Sequence, residues 1–230
     1  MEVQAHILPA AILVECWMTQ EMTDSLNDYL DDLLKRKDRI SHAGTLVGQI
    51  AHGEQLTMDR HDSRIANYCN FIEELGANYI EHVMKVIGVP MPGGSRTIEI
   101  DEIWSVHSFE GDYNPIHDHG TKTAMGISTT CWTKVPKEIL AVDDKSYNLY
   151  NASGDSDGCL AFNYGRNSMQ DIERLRPPQS AVFKPEVGKL LMFPSWLQHM
   201  VYPFKSKEER RTVAANLNAW MQDGEKVSTA

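Results

Sequence analysis

Apolar positions in residues 21–38, EMTDSLNDYLDDLLKRKD, fall at Leu26, Tyr29, Leu30, Leu33 and Leu34. That spacing places them on one face of a helix. Acidic residues lead and basic residues follow, the order that suits the helix dipole, and Thr23 or Asp24 is the candidate cap. A second amphipathic helix is predicted over 63–88, SRIANYCNFIEELGANYIEHVMKVIG, stopped by Gly88 and Pro90. The stretch between them, 39–62, is polar and reads as irregular. Ahead of both lies MEVQAHILPAAILVECWM, whose apolar run is too short to span a bilayer and has no Lys or Arg before it. It reads as a buried strand.

After PMPGGSRT the period changes. In IEIDEIWSVHSF (98–109), Ile98 and Ile100 alternate with acidic residues, and Ile103, Trp104 and Val106 follow with strand character. Short candidate strands then succeed one another at 113–119, 124–133, 146–151, 158–163, 189–193, 198–204 and 210–220, divided by Gly, Pro, Asp and Asn. Many short strands with turn signals predict a sandwich or barrel. The expected fold is α+β, mainly β: a jelly-roll core at 96–222, supported by a helical N-terminal layer with one strand at 1–95. No linker separates the two, so a single domain is expected.

Composition narrows the function. The 230 residues are 42% hydrophobic and 23% charged, as in an ordinary globular chain with a large core. A net charge of -10 gives no electrostatic case for nucleic acid or anionic membrane as partner. Cys16, Cys69, Cys131 and Cys159 are far apart and form no CxxC pair. Neither a zinc knuckle nor a disulfide framework is indicated, and reduced thiols in a cytoplasmic setting are expected.

The candidate chemistry lies in three places. In GDYNPIHDHG (111–120), His117 and His119 are two apart, so on a strand both imidazoles reach one point while Asp118 turns away. A single histidine, His199, sits in the apolar run GKLLMFPSWLQHMVYPF (188–204). A pair from one strand and one histidine from a distant strand is the layout of a facial three-ligand metal site with open positions. His107 is the nearest rival, and a one-residue slip would bring Asp118 inward instead. Third, Arg210 and Thr212 in ERRTVAANLNAW share a strand face, and a guanidinium beside a hydroxyl suits a carboxylate. Arg211 shares the other face with Val213, Ala215 and Leu217. Trp104 and Trp220 read as core aromatics.

The order HxH … H … RxT resembles the iron(II)- and 2-oxoglutarate-dependent oxygenase superfamily. More narrowly, the chain is similar to an oxygenase family of bacteria and phages related to prolyl hydroxylases. The likeness is carried by GDYNPIHDHG, GCLAFN (158–163), VGKLLMFPSWLQHMVYP (187–203) and ERRTVAANL (209–217), and Phe-Pro-Ser-Trp-Leu-x-His is its most specific part. It implies a double-stranded β-helix with iron(II) held by His117, His119 and His199 at its open end. It further implies 2-oxoglutarate bound to the metal, with its far carboxylate on Arg210, assisted by Thr212. Tyr113 and Asn114 would touch the oxo acid or the substrate. The activity implied is a dioxygenase that consumes dioxygen and hydroxylates an unidentified substrate, a prolyl or other amino-acid residue being one candidate. One departure stands out, because the superfamily's usual second ligand is a carboxylate. Three neutral imidazoles leave iron(II) one charge unit more positive, which changes its redox behaviour and metal preference. A cupin-type three-histidine enzyme without 2-oxoglutarate, and a non-catalytic jelly-roll binding module, are the alternatives.

Overall fold

A computed structural model describes residues 11–45, 48–88, 96–140, 156–165 and 180–221. In chain order its main elements are β1 (Val14–Trp17), α1 (Gln20–Leu33), β2 (Glu54–Thr57), α2 (Ala66–Ile87), β3 (Arg96–Ser108), β4 (Asn114–His117) and β5 (Ile127–Lys134). There follow α3 (Lys137–Leu140), β6 (Leu160–Asn163), β7 (Ser180–Phe183), β8 (Lys189–Pro194), β9 (Gln198–Val201) and β10 (Arg210–Met221). The strands form two antiparallel sheets, β1-β8-β5-β10-β3-β2 and β4-β9-β6-β7. This is the mainly β, α+β arrangement of a double-stranded β-helix. No helix among the described residues is long and apolar enough to cross a membrane.

Two apolar clusters hold these layers. Leu26, Leu30 and Leu33 of α1 and Ile72 and Ile80 of α2 pack with Val213, Ala215 and Leu217 on the outer face of the six-stranded sheet. Burying each such Leu or Ile contributes about 1.5–3 kcal/mol. Between the sheets, Trp132, Leu160, Phe162, Leu191, Phe193 and Leu197 form the second cluster. Strand β8 serves both, since Leu190 and Met192 belong to the first and Leu191 and Phe193 to the second. The pleat sends neighbours along β8 to opposite faces, so its unbroken apolar run feeds two cores.

Other local expectations shift for similar reasons. Thr19, not Thr23 or Asp24, caps α1, with its Oγ1 accepting from the Met22 backbone N–H at 3.2 Å. Thr23 lies inside the helix and its hydroxyl donates back to the Thr19 carbonyl. The stretch 39–62 contains β2, whose four residues are too few to show a period but pair with β3. β7 is likewise a four-residue strand that carried no signal. β1 is an edge strand, half-exposed, with Trp17 55% accessible. The strand expected at 146–151 lies outside the described residues. Gly88 ends α2 in the left-handed conformation (φ 72°), as its sequence position implied.

Strand β3 contains a bulge. Asn216 pairs with Glu102 but Leu217 pairs with Ile100, so Asp101 is an extra residue. Before it, Ile98 and Ile100 face the helical core. After it, Ile103, Ser105 and His107 are buried while Glu102, Trp104, Val106 and Ser108 line the space between the sheets.

Strand β10 is pinned on its helical side by Arg211, 1% exposed. Its Nε donates to Glu209 Oε1 (2.8 Å), its Nη2 to Asp31 Oδ1 (2.6 Å) and its Nη1 to Asn27 Oδ1 (3.1 Å). Glu209 also holds His107 Nδ1 at 2.5 Å, and His107 Nε2 lies 2.9 Å from Ser105 Oγ. Burial works to raise the Glu209 pKa, but the hydrogen bonds with His107 and Arg211 outweigh it and bring the carboxyl down to about 2. Between that value and the ordinary carboxylate range, the unfolded chain binds a proton that the folded chain does not, so acid favours unfolding. Stability by denaturant titration is therefore expected to fall as pH drops through this window, and Glu209→Gln flattens the slope. Replacing Arg211 with Met leaves Asp31 and Glu209 with Lys134 as their cation, 3.2 and 3.4 Å away, and removes the guanidinium's charged hydrogen bonds, at an expected cost of about 1–3 kcal/mol at neutral pH.

Candidate metal centre

Three imidazoles meet beside the space between the sheets. His117 ends β4 and is the register partner of His199 in β9. Their ring centroids are 4.3 Å apart, and His119 lies 5.1 Å from His117 and 5.0 Å from His199. The potential donor atoms of all three fall within 4.8 Å of one another. His119 lies two residues beyond the end of β4 rather than on a continuous strand 113–119. Its backbone N–H donates to the Ser195 carbonyl at 3.0 Å, which ties the loop to the Pro194–Ser195–Trp196 corner. Ser195 N–H in turn donates to Gly126 O, and a Cβ at Gly126 would run into Thr121 and Ser195 side chains. Asp118 is exposed between the two histidines.

The donor set suits a metal. His117 Nδ1 lies 2.7 Å from the Pro115 carbonyl and His199 Nδ1 2.9 Å from the Leu197 carbonyl. A carbonyl can only accept, so each Nδ1 carries the proton and each Nε2 keeps a lone pair. The Asn114 amide reaches His117 Nε2 at 3.3 Å, a long contact that a metal would displace. Burial, with the His117 charge second, lowers His119 to about 4 and His199 to about 3. Neutral imidazoles are what a metal needs. His107, by contrast, has both ring nitrogens engaged within the ion network of β10 and stands apart from the cluster.

A cavity of about 370 Å³ adjoins the histidines. Tyr113, Asn114, Arg210 and Thr212 all line it, together with Trp104, Ala214 and Asn216. Arg210 is 2% exposed, and its Nε is buried with no hydrogen-bond partner among the described residues. No carboxylate pairs with it among those residues, and burial lowers its pKa to about 10. The guanidinium stands 5.9 Å from the Trp132 ring centroid. A buried cation without an anion is costly, so this end of the cavity favours a carboxylate.

Two residues depart from their sequence assignment or were missed by it. Trp104 is not a core aromatic: it lines the cavity with its ring 5.5 Å from His119. Glu102 lines it as well. The signal was present in the broken alternation from Ile100 to Ile103, which moves residues 102 and 104 to the face opposite the core.

The sequence matches the Putative 2OG-Fe(II) oxygenase family over residues 102–216, and the chain belongs to it. No curated protein matches. Among solved structures, it is similar to a Pseudomonas putida prolyl-4-hydroxylase (TM-score 0.54, 10% identity, 91% of each chain covered). It is also similar to HygX from Streptomyces hygroscopicus with nickel, 2-oxoglutarate and hygromycin B bound (0.51, 10% identity, 91% of this chain and 82% of that one). A third is a Trichoplax adhaerens prolyl hydroxylase in complex with a peptide of hypoxia inducible factor (0.52, 12% identity, 96% and 88%). At these identities the likeness establishes the fold, and the family match establishes a 2-oxoglutarate-dependent oxygenase.

Single replacements His117→Ala, His119→Ala and His199→Ala are each expected to weaken cobalt(II) or iron(II) binding by more than ~100-fold, beyond what loss of a supporting contact does. Asp118→Ala leaves binding unchanged. Anaerobic metal titration followed by elemental analysis measures both, and an Asp118 variant that loses metal would reassign the second ligand.

Proposed function

We propose that the protein is an iron(II) dioxygenase that couples oxidative decarboxylation of 2-oxoglutarate to hydroxylation of a substrate carbon. The observation that carries this reading is the buried Arg210, without an anionic partner among the described residues, in the same cavity as three convergent histidines. His117, His119 and His199 would hold the metal through Nε2 of at least the first and third. Iron(II), when bound, supplies dioxygen activation. The overall balance is 2-oxoglutarate, dioxygen and a C–H compound giving succinate, carbon dioxide and the hydroxylated compound.

The chain's own residues do the positioning. Arg210 receives the distal carboxylate through two parallel N–H donors, and the Thr212 hydroxyl beside it adds a third. Taking the cosubstrate there would turn its oxo acid end toward the histidines, since Trp104, paired with Ala214 two residues beyond Thr212, reaches His119. Leu160, Phe193 and Val201 form an apolar wall that excludes water from the reacting centre. Tyr113 and Asn114, beside His117, contact the oxo acid or the substrate. The solved structures of similar fold include prolyl hydroxylases, so a prolyl or other amino-acid residue is the substrate class they bring forward.

The three-imidazole donor set favours a second reading, a cupin-type metalloenzyme that uses no oxo acid. Buried Arg210 has no task in that scheme. Succinate release from iron-loaded protein separates the two: the proposal expects it, at a slow uncoupled rate without substrate, and its absence at saturating 2-oxoglutarate leaves the cupin reading standing. Arg210→Ala is expected to weaken 2-oxoglutarate binding by about 2–5 kcal/mol, with Arg210→Lys in between because charge remains but the fork is lost. Calorimetric titration provides the measurement, and unchanged affinity in Arg210→Ala would remove the arginine from the site.

A further inference from the structure

The cavity has two unlike ends. Along β10, Arg210, Thr212, Ala214 and Asn216 face it in turn, and their β3 partners Ser108, Val106, Trp104 and Glu102 face it beside them. The Arg210 end is buried, while Glu102, six residues or roughly 20 Å of strand away, is exposed. The histidines lie between, at the level of Trp104. A cosubstrate seated on Arg210 therefore leaves the Glu102 end for whatever is oxidised.

The way Glu102 reaches that position is informative. Strict alternation from Ile98 and Ile100 would turn residue 102 into the apolar core beneath α2. The extra residue at Asp101 reverses the phase, so that Glu102 and Trp104 share the cavity face. Asp101 itself turns to Lys122, with which it forms an ion pair, and Glu99 pairs with Arg60. Lys122 also feels the charge of Glu102, but its direct partner is Asp101. The Glu102 side chain makes no hydrogen bond or ion pair among the described residues. The lip thus carries one carboxylate in excess of its cation, with an indole next to it along the strand and an imidazole of the cluster beyond.

Resting on the 2-oxoglutarate reading above, we infer that Glu102 and Trp104 form the subsite for a cationic group of the primary substrate, an ammonium or guanidinium on an alkyl arm. The carboxylate takes the charge, and the indole covers the arm and attracts the cation. A carbon on that arm, about two residues' length inward from Glu102, then lies beside His119. Free amino acids or amines and basic side chains of a peptide share this chemistry.

The test uses full-length protein loaded anaerobically with iron(II) and 2-oxoglutarate, so that binding is read without turnover. L-lysine, L-arginine, and the blocked tripeptides acetyl-Gly-Lys-Gly-amide and acetyl-Gly-Arg-Gly-amide are titrated by calorimetry. L-norleucine and L-citrulline serve as isosteres with uncharged side chains. At least one cationic probe is expected to bind roughly tenfold or more tightly than its isostere, the size of a charge-assisted contact. Free amino acids binding alone points to a small metabolite, and tripeptides binding alone points to a protein side chain. Glu102→Gln is expected to abolish the discrimination, and Glu102→Lys to reverse it in favour of L-glutamate. Glu81→Gln, which removes an equal charge on the helical side, retains it. Isosteres binding as well as cations, no probe binding, or discrimination surviving in Glu102→Gln would each overturn the assignment. Failure of 2-oxoglutarate itself to bind the wild type is a separate outcome, which removes the underlying reading and this one with it.

Discussion

The burial of Arg211 against Asp31 and Glu209 governs the placement of everything on β10. Two adjacent arginines on a strand must face opposite ways. Once one is locked by Asn27 and Asp31 of α1 and by Glu209 just ahead of β10, the other has no choice but to enter the space between the sheets. The same lock sets Thr212, Ala214 and Asn216 on the cavity side and Val213, Ala215 and Leu217 on the core side. A buried ion pair is a poor source of net stability, because desolvation of both partners offsets their attraction. What it does supply is phase, since the alternative register would leave Arg211 without its anions. The helical layer is thereby part of the site, although no residue of α1 or α2 lines the cavity.

Desolvation acts with opposite consequences at two places in that cavity. For His119 and His199 it favours the neutral form, which is the form with a lone pair to donate. For Arg210 it weakens the charge only modestly, because a guanidinium is very hard to deprotonate. The result is an apolar chamber holding neutral donors at one place and an obligate cation at another. A dicarboxylic oxo acid answers both demands at once. Backbone carbonyls two residues before His117 and His199 fix the tautomer in each case, so the same i−2 device recurs on two separate strands.

Much of this was legible in the residues. The i, i+2 spacing of His117 and His119 and of Arg210 and Thr212 is a local property, and local properties survive folding. The helical periods around Leu26–Leu33 and Ile72–Ile80 were equally plain. Four-residue strands such as β2 and β7 were not, because two alternations do not make a pattern. Trp104 was misjudged for a different reason. An aromatic among isoleucines looks like core until the phase of the strand is known, and the phase depends on one inserted residue at Asp101. The convergence of residues 117 and 199 depends on β4 and β9 being neighbours, a long-range fact that no spacing encodes and that only the family resemblance anticipated.

The pairing of β4 with β9 has a mechanical side. β4 is a short edge strand of the smaller sheet, registered to β9 only at Asn114–Val201 and His117–His199, with an irregularity between. Two rungs are a weak attachment for a wall of the chamber. A metal ion shared by His117 and His199 would rivet that edge at its outermost rung, and His119 would pull the following loop onto the same fixing. Whatever free energy the metal gains from its ligands is then also free energy for closing the chamber. Loading and wall closure are thereby linked, so the ion that makes the vessel useful would also tighten it.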